Sequence, residues 1–411
     1  MTKSSNNKIF INGPFNYTKL ENNSGKIVHV FFDIHMPIQL QSECDSDDAV
    51  NIDKYLSKFF KTTEKNIDFF FEIHPYEKKD EREYNKIYIL KLYDLFLSNK
   101  NKYGENIKFH YIDIRRFFYY NNIMENIRNA SDIFFNYFFH NDISKDFKIN
   151  KIQEFMYLLN NINDYLYQIL DIYDTLLKKN VPYEKVNLEK LIFENASDKV
   201  DKSEFSILRN SIIQILTKLI KKYNNDNNKI IINKIIKKYF VENVMSILKH
   251  ISQVIDISDK YLSIIKNNNE NMNVCKCFDN IYTITFNGSC DNFTDIKNDI
   301  DSRMKNISIA LTSTFSKLQD IYFIKRFIEK DYVTEAITYT GADHSIMYIY
   351  VLVKYFGFRI IDCYYFNKKL LKEPNLNELN NVILKTENEV YLSPYFYIKD
   401  IEKQCIEINP I

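Results

Sequence analysis

An α/β fold, a mainly parallel sheet with flanking helices interrupted by a large all-α insertion, is predicted by three features of this chain. Three apolar runs in the first 120 residues each close on an acid, an isoleucine and a basic side chain: Asp33-Ile34-His35, Glu72-Ile73-His74 and Asp113-Ile114-Arg115. The signatures recur 39 and then 41 residues apart, room for one strand, one helix and two loops. The same strand and helix pattern returns between Glu335 and Tyr365, and the long stretch between the two carries apolar residues at threes and fours instead. Residues two apart on a strand share a face, so each acid projects with its basic partner while the isoleucine packs on the other side. The charged pairs then gather at the carboxyl edge of the sheet, where open α/β sheets place ligands.

Met1–Asn7 are polar, and residues 1–25 are expected to form an amino-terminal arm. The first half of the α/β core follows in 26–120. Its strands are Val28–Phe32, Ile67–Phe71 and Phe109–Ile112, and Pro37 and Pro75 mark two strand ends because proline has no amide hydrogen for a central ladder. Asp53–Phe60, with Asp47, Asp48 or Asn51 as cap, and Ile87–Leu97 predict crossover helices. Residues 121–273 predict the helical insertion, with stripes in Ile152–Leu177, Phe205–Tyr223 and Ile230–Ile265, a polar break at Asn224–Asn228 and an Asn-rich linker at Asn267–Asn273. The second half of the core is 274–366: a short β-like piece at Asn280–Phe286, a helix over Ile296–Phe327, a strand at Glu335–Thr340, a turn at Gly341–His344, a helix over Ser345–Phe356 and a strand at Phe358–Tyr365. Gly341 suits the sharp strand-to-helix turn and Gly357 a left-handed helix cap. Residues 367–411 form a carboxy-terminal arm or subdomain.

Composition bounds the function. The chain has 411 residues, 45% hydrophobic, with 31 Tyr and 32 Phe but no Trp, and heavy Asn, Lys and Ile usage of the kind an AT-rich genome imposes. Its 55 basic and 54 acidic residues leave a net charge of +1, so no chain-wide field recruits nucleic acid or an anionic membrane. No run approaches the ~20 apolar residues of a bilayer span, and Met1–Asn7 lacks a signal-like apolar segment, which predicts a soluble intracellular protein. Six cysteines without a secretion signal predict reduced thiols, and the spacing of Cys275, Cys277 and Cys290 is not that of a zinc site. The acidic run Glu43–Asp48 lacks the glycine and final glutamate of a calcium loop.

With the early and late strands as neighbours, Asp33, His35, Glu72, His74, Asp113, Arg115, Asp343 and His344 gather at one edge. Imidazoles with carboxylates bind a divalent metal, whose water becomes a nucleophile near neutral pH, or act without metal as general bases. Solvated ion pairs and hydrogen-bonded structural histidines are the plainer reading of the same residues.

The second half, with Arg303 in a helix, Ala336–His344 and an apolar helix ending Phe356-Gly357-Phe358, resembles the TraB/TIKI-type proteins, relatives of the ChaN and erythromycin-esterase groups. The resemblance implies a parallel α/β core with a helical insertion and a hydrolase, metal-dependent in one branch. Gly341 and His344 match its second G-x-x-H motif, His35 the first histidine, Glu72 the strand-borne glutamate and Arg303 the helical arginine. Phe32 stands where the first motif has glycine. Two further resemblances stop short: the G-G-D-H-S region of arginase-type hydrolases is followed here by Asp362-Cys363-Tyr364-Tyr365-Phe366, without the required histidine, and the D-x-H of calcineurin-like phosphoesterases has no G-D-x-x-D after Asp33-Ile34-His35.

The expectation is thus a hydrolase, metal-assisted or not, acting on an unknown substrate. His35 and His344 serve as ligands or bases, Glu72 as ligand or general base, Asp33 as a further ligand, and Arg303 or Arg115 stabilises an anionic intermediate. The composition also resembles proteins of large DNA viruses with AT-rich genomes, which carries the alternative: an inert enzyme-like fold serving as a structural or interaction component. A location in host cytoplasm or virion, and a protein partner on the helical insertion, belong to these expectations.

Overall fold

The computed structural model describes residues 8–73, 86–99, 102–138, 143–182, 202–267, 291–398 and 403–411. They form two compact units: Met1–Ile114 with Asn224–Ile231 and Gln319–Ile411, and Arg115–Tyr223 with Ile232–Leu318.

The first unit is the predicted α/β fold. Strands β1 (Ile9–Asn12), β2 (Asn16–Asn22), β3 (Ile27–Asp33), β4 (Val50–Asn51), β5 (Ile67–Phe71), β6 (Ile107–Tyr111), β7 (Glu335–Gly341), β8 (Phe358–Cys363) and β9 (Cys405–Ile408) make two sheets. The larger has the order β6-β5-β7-β3-β2-β8. Its first four strands are parallel, and β2 runs antiparallel between β3 and β8. The late strand β7 is therefore inserted between β3 and β5, which precede it by some three hundred residues.

Helices α1 (Ile52–Thr62) and α2 (Tyr88–Asn99) cover one face, close to their predicted bounds. All five residues of β5 are buried, as in a strand covered on both sides. Phe69 packs on Phe60 of α1 and Phe96 of α2 with ring centroids 5.4 and 5.0 Å apart, and Phe71 reaches Phe96 at 5.9 Å. Phe70 turns to the opposite face and meets Phe323 at 5.0 Å. That face also carries helix α9 (Ala342–Phe356), whose residues from His344 to Val353 are all buried.

Three expectations need correction here. The predicted amino-terminal arm holds β1 and β2 instead, whereas the segment expected as a carboxy-terminal arm or subdomain holds a helix over Leu376–Lys385 and β9. β9 pairs antiparallel with β1, with Asn12 opposite Cys405, while β4 pairs with β1 on its other side. These strands escape a pattern search because they are short and broken by Gly13-Pro14. The expectation of reduced cysteines fails for Cys44 and Cys405, which form a disulfide across 361 residues with Cα atoms 5.0 Å apart. Cys363 is free, and burial pushes its thiol up to about 12. The predicted turn at Gly341–His344 is already helical from Ala342. Cys275, Cys277, Cys290 and the piece Asn280–Phe286 lie outside the described residues.

The second unit is helical: α3 (Tyr120–Tyr137), α4 (Lys145–Lys178), α5 (Lys202–Ile220), the end of α6 (Asp226–Ile236) from Ile232, α7 (Glu242–Asn267) and most of α8 (Asp291–Ile328). A π-helical turn, Lys237–Val241, joins α6 to α7. Phe138 packs between Phe155 of α4 and Tyr261 of α7, at 4.9 and 5.6 Å, so aromatic side chains tie the bundle together. The unit opens at Arg115 and takes in α8 as far as Leu318, somewhat beyond the predicted insertion of 121–273. Among the described residues no helix is long and apolar enough to cross a membrane.

Candidate functional site

The sheet order explains why remote residues meet. β3 and β5 flank β7, with Asp33 in register with Gly341 and Phe71 with Tyr339. Asp33 therefore arrives from one side and Glu72, the residue after β5, from the other. Helix α9 begins immediately after β7 and brings His344 into its first turn. The Gly341 N–H donates to Glu72 Oε2 at 3.0 Å.

These groups form one chain of charged partners. His35 Nδ1 lies 2.8 Å from Asp33 Oδ2 and its Nε2 3.4 Å from Glu72 Oε2. His344 Nε2 lies 2.9 Å from Glu72 Oε1 and its Nδ1 2.5 Å from Asp320 Oδ1. The Tyr339 hydroxyl donates to the other oxygen of Asp33 at 3.0 Å. The order is Asp33, His35, Glu72, His344, Asp320, with Glu72 in the middle. Burial is uneven: the Asp33 and Asp320 side chains are 1% exposed and Glu72 6%, whereas the His35 ring is 37% exposed. His35 is thus the member of the chain most open to solvent.

The environment sets the protonation. Burial alone would lower the pKa of His35, but its hydrogen bonds to Asp33 and Glu72 and their charges outweigh it and raise it to about 10. For His344 burial is again opposed, here by Asp320 and Glu72, and the value rises to about 10. Burial would raise the Glu72 carboxyl, yet the two imidazolium neighbours, His344 foremost, hold it well below the usual range. Both rings are therefore imidazolium at neutral pH and donate from both nitrogens.

Gly341 has a different role from the one predicted. Its φ of −55° is open to any residue, so the turn does not demand glycine. A Cβ there would stand 3.4 Å from Glu72 Oε2, 3.4 Å from His35 Nε2 and 3.6 Å from His344 Cδ2. The missing side chain leaves the space between the three heads open. Gly357 does adopt the predicted left-handed cap, with φ 68°.

Of the predicted residues, Asp33, His35, Glu72 and His344 come together. Arg303 and Arg115 belong to the second unit. There Arg303 Nε donates to Asp299 at 2.9 Å and Nη1 to Gln253, and the Arg115 guanidinium sits 5.9 Å from the centre of the Tyr120 ring. Asp113 follows β6, which β5 separates from β7. Asp343 accepts from the Tyr397 hydroxyl at 3.0 Å, and His74 lies outside the described residues. Phe32, at the position of the missing first glycine, is fully buried against Phe15 and Phe396. Asp320 was missed by sequence reasoning, although it carries a signal: it shares a helical face with Phe323, Ile324 and Phe327, an acid on an apolar stripe.

A model of a family of unknown function, DUF5847, matches residues 9–411. The chain belongs to the DUF5847 family. Three relatives of this DUF5847 chain are uncharacterized proteins of Acanthamoeba polyphaga mimivirus. They are 28%, 27% and 26% identical, over 92%, 97% and 100% of this chain and 93%, 95% and 98% of their own lengths. The viral resemblance of the composition thus has counterparts of nearly full length. No solved structure matches the chain.

Proposed function

We propose that this DUF5847 chain is a hydrolase whose site is the run Asp33, His35, Glu72, His344 and Asp320 at the carboxyl edge of the sheet. One observation carries the reading: two imidazoles turn their Nε2 atoms on the same buried carboxylate while a second carboxylate holds each Nδ1. A buried network of charges is weak as a source of stability and common where groups are tuned for chemistry. The TraB/TIKI-type resemblance points to the same His35, Glu72 and His344.

His35, the exposed ring, would donate a proton to a leaving group or stabilise an oxyanion. Glu72, once a substrate has drawn His35 away, would accept a proton from water. His344, fixed by Asp320, would hold Glu72 in place. Arg303 and Arg115 were expected to stabilise the anion; their bonds within the second unit favour His35 for that task.

Among the described residues no group of three His, Cys, Asp or Glu side chains has metal-binding spacing, because Glu72 itself takes both Nε2 atoms. The donor chemistry nevertheless suits a divalent ion: carboxylates orient both rings from behind, as they do for metal-bound histidines, and one such ion would replace two imidazolium protons at constant charge. His35, Glu72 and His344, with Asp33 behind His35, would hold it, and it would supply a bound water acidic enough to attack at neutral pH. The inert alternative has its own support, since every imidazole nitrogen here already has a carboxylate partner.

The test is a screen of ester, peptide and phosphoester substrates with and without added divalent metals, combined with metal analysis of the parent and of the His35→Ala/His344→Ala protein. Turnover in the parent and none in the variant is expected. No turnover on any class supports the inert scaffold, and equal metal content in both proteins removes the metal version.

A further inference from the structure

His35 rides on a segment that packs against the core only through the half-buried Ile38 and Val50. From Ile34 to Val50 not one residue is buried, and the regular structure before β4 is a short 3-10 turn at Ile38–Leu40 and an isolated bridge from Ser42 to Lys403. Backbone contacts such as Gln404 N–H to Ser42 O (2.8 Å) and a side-chain contact from Cys44 N–H to Asn12 Oδ1 (2.8 Å) hold it, together with one covalent tie, the Cys44–Cys405 disulfide. The other end of that tie is firm. Cys405 lies in β9, paired along its length with β1, and the next residues of β9, Ile406 and Ile408, belong to the core cluster under α1 and α2. The path from the disulfide to His35 is short: three residues before Cys44, Gln41 donates from Nε2 to the carbonyls of Ile34 (3.2 Å) and Met36 (2.8 Å), the two neighbours of His35. His344 has no such dependence, being held on the buried helix α9 by Asp320 and Glu72.

We infer that the Cys44–Cys405 disulfide is a redox latch on the site, holding His35 against Glu72 when closed and letting it leave when open. Its regulatory meaning rests on the hydrolase reading above; its effect on the position of His35 does not. Opening is thiol–disulfide exchange. The thiolate of a dithiol reductant attacks one sulfur, a mixed disulfide forms, and the second thiol of the reductant displaces the remaining cysteine. The reductant ends as its own disulfide, and Cys44 and Cys405 gain two electrons and two protons as thiols. Neither β5, β7 nor α9 is tied by this bond, so reduction separates His35 from Glu72 and leaves His344 in place.

The experiment compares the full chain as purified, after reduction with dithiothreitol, after reoxidation, and as Cys44→Ser. Peptide-resolved hydrogen exchange follows residues 34–50, and carbethoxylation resolved by mass spectrometry follows the His35 and His344 rings. On reduction, exchange in 34–50 and modification of His35 are expected to rise about tenfold or more, since the constraint of a disulfide on local opening exceeds one decade. His344 and β5 should stay protected, reoxidation should restore the first rate, and Cys44→Ser should match the reduced state. An unchanged His35 rate overturns the latch. So does a rise that spreads to β5, β7 and His344, because the bond would then hold the whole fold. Turnover on a substrate found by the screen is the separate arm: equal turnover in both states overturns the regulatory claim, whereas no turnover in either state with a local His35 response sinks the hydrolase reading alone.

Discussion

Two pairs of histidines on the same unit, His35 with His344 and His29 with His110, show how differently one side chain is used. His29, in the interior of β3, bonds Glu335 through Nε2 at 3.0 Å and takes the Tyr17 hydroxyl on Nδ1 at 2.8 Å. His110, in β6, bonds Asp68 through Nε2 and takes Arg326 Nη2 on Nδ1 at 2.9 Å, with its ring stacked 4.6 Å from Phe70. Each has one carboxylate and one donor, and burial lowers the pKa of both. They are neutral pins with a fixed tautomer. Among the described residues His35 and His344 each meet two carboxylates and no donor, which favours the charged form of both rings. The second carboxylate is what reverses the direction of the shift, favouring the charged form in spite of burial.

Removing the shared carboxylate should have the largest effect. Glu72→Ala leaves the buried His344 ring with Asp320 alone and the part-exposed His35 ring with Asp33 alone, and is expected to cost about 3 kcal/mol in chemical denaturation, chiefly through the buried His344 pair. Glu72→Gln, which keeps the shape, should cost less and still abolish turnover; full turnover in that variant would contradict the role given to the carboxylate.

The two pairs should also oppose each other in the pH dependence of stability. A raised histidine stabilises fully below its unfolded value near 6.5 and loses that contribution as pH climbs toward about 10, so His35 and His344 weaken the fold on the alkaline side. The lowered pair binds protons more readily unfolded than folded, so His29 and His110 weaken it as pH falls below about 6.5. Denaturation across pH should show His344→Gln flattening the alkaline limb and His110→Gln the acid limb; the reverse assignment would undo the comparison. Glu72, held low, adds stability that is present above the ordinary carboxylate range and is lost in strong acid.

His110→Ala leaves Asp68 and Arg326 without their bridge and should cost about 1–3 kcal/mol with turnover unchanged. Gly341→Ala separates stability from function: its φ of −55° is open to any residue and its Cβ contacts are ordinary, so only the poorer helix cap weighs against it and stability should fall by about 1 kcal/mol. The methyl fills the space between His35, Glu72 and His344, and misplacement of that order costs roughly a hundredfold in turnover. Arg303→Ala is the smallest, about 0.5 kcal/mol for a half-exposed pair one helical turn apart. A tenfold or greater loss of turnover there would return the guanidinium to the chemistry.

The parts of this legible in sequence were those written in local patterns. β3, β5 and β7 are nearly unbroken apolar runs, so both their existence and their double-sided burial follow from composition. The acids at their ends were visible as well, and only the insertion of β7 between β3 and β5 was needed to bring Asp33, Glu72 and His344 together. Asp320 was harder, because an acid in a long helix declares nothing about which imidazole it faces. Cys44 and Cys405 meet only through the pairing of β1 with β9, and no spacing rule links residues 361 apart. Gly341 was noticed for the wrong reason: glycine is commonly required by a turn, and here it is the absent Cβ that matters.

The most direct test is an NMR titration of the imidazole nitrogens in the parent and in Glu72→Gln. Two rings, assigned to His35 and His344, should remain protonated from neutral pH up to about 10 and fall together when Glu72 is neutralised, while His29 and His110 stay neutral at pH 7 in both proteins. If His35 and His344 titrate near 6.5 and ignore the substitution, the five side chains do not act as one site.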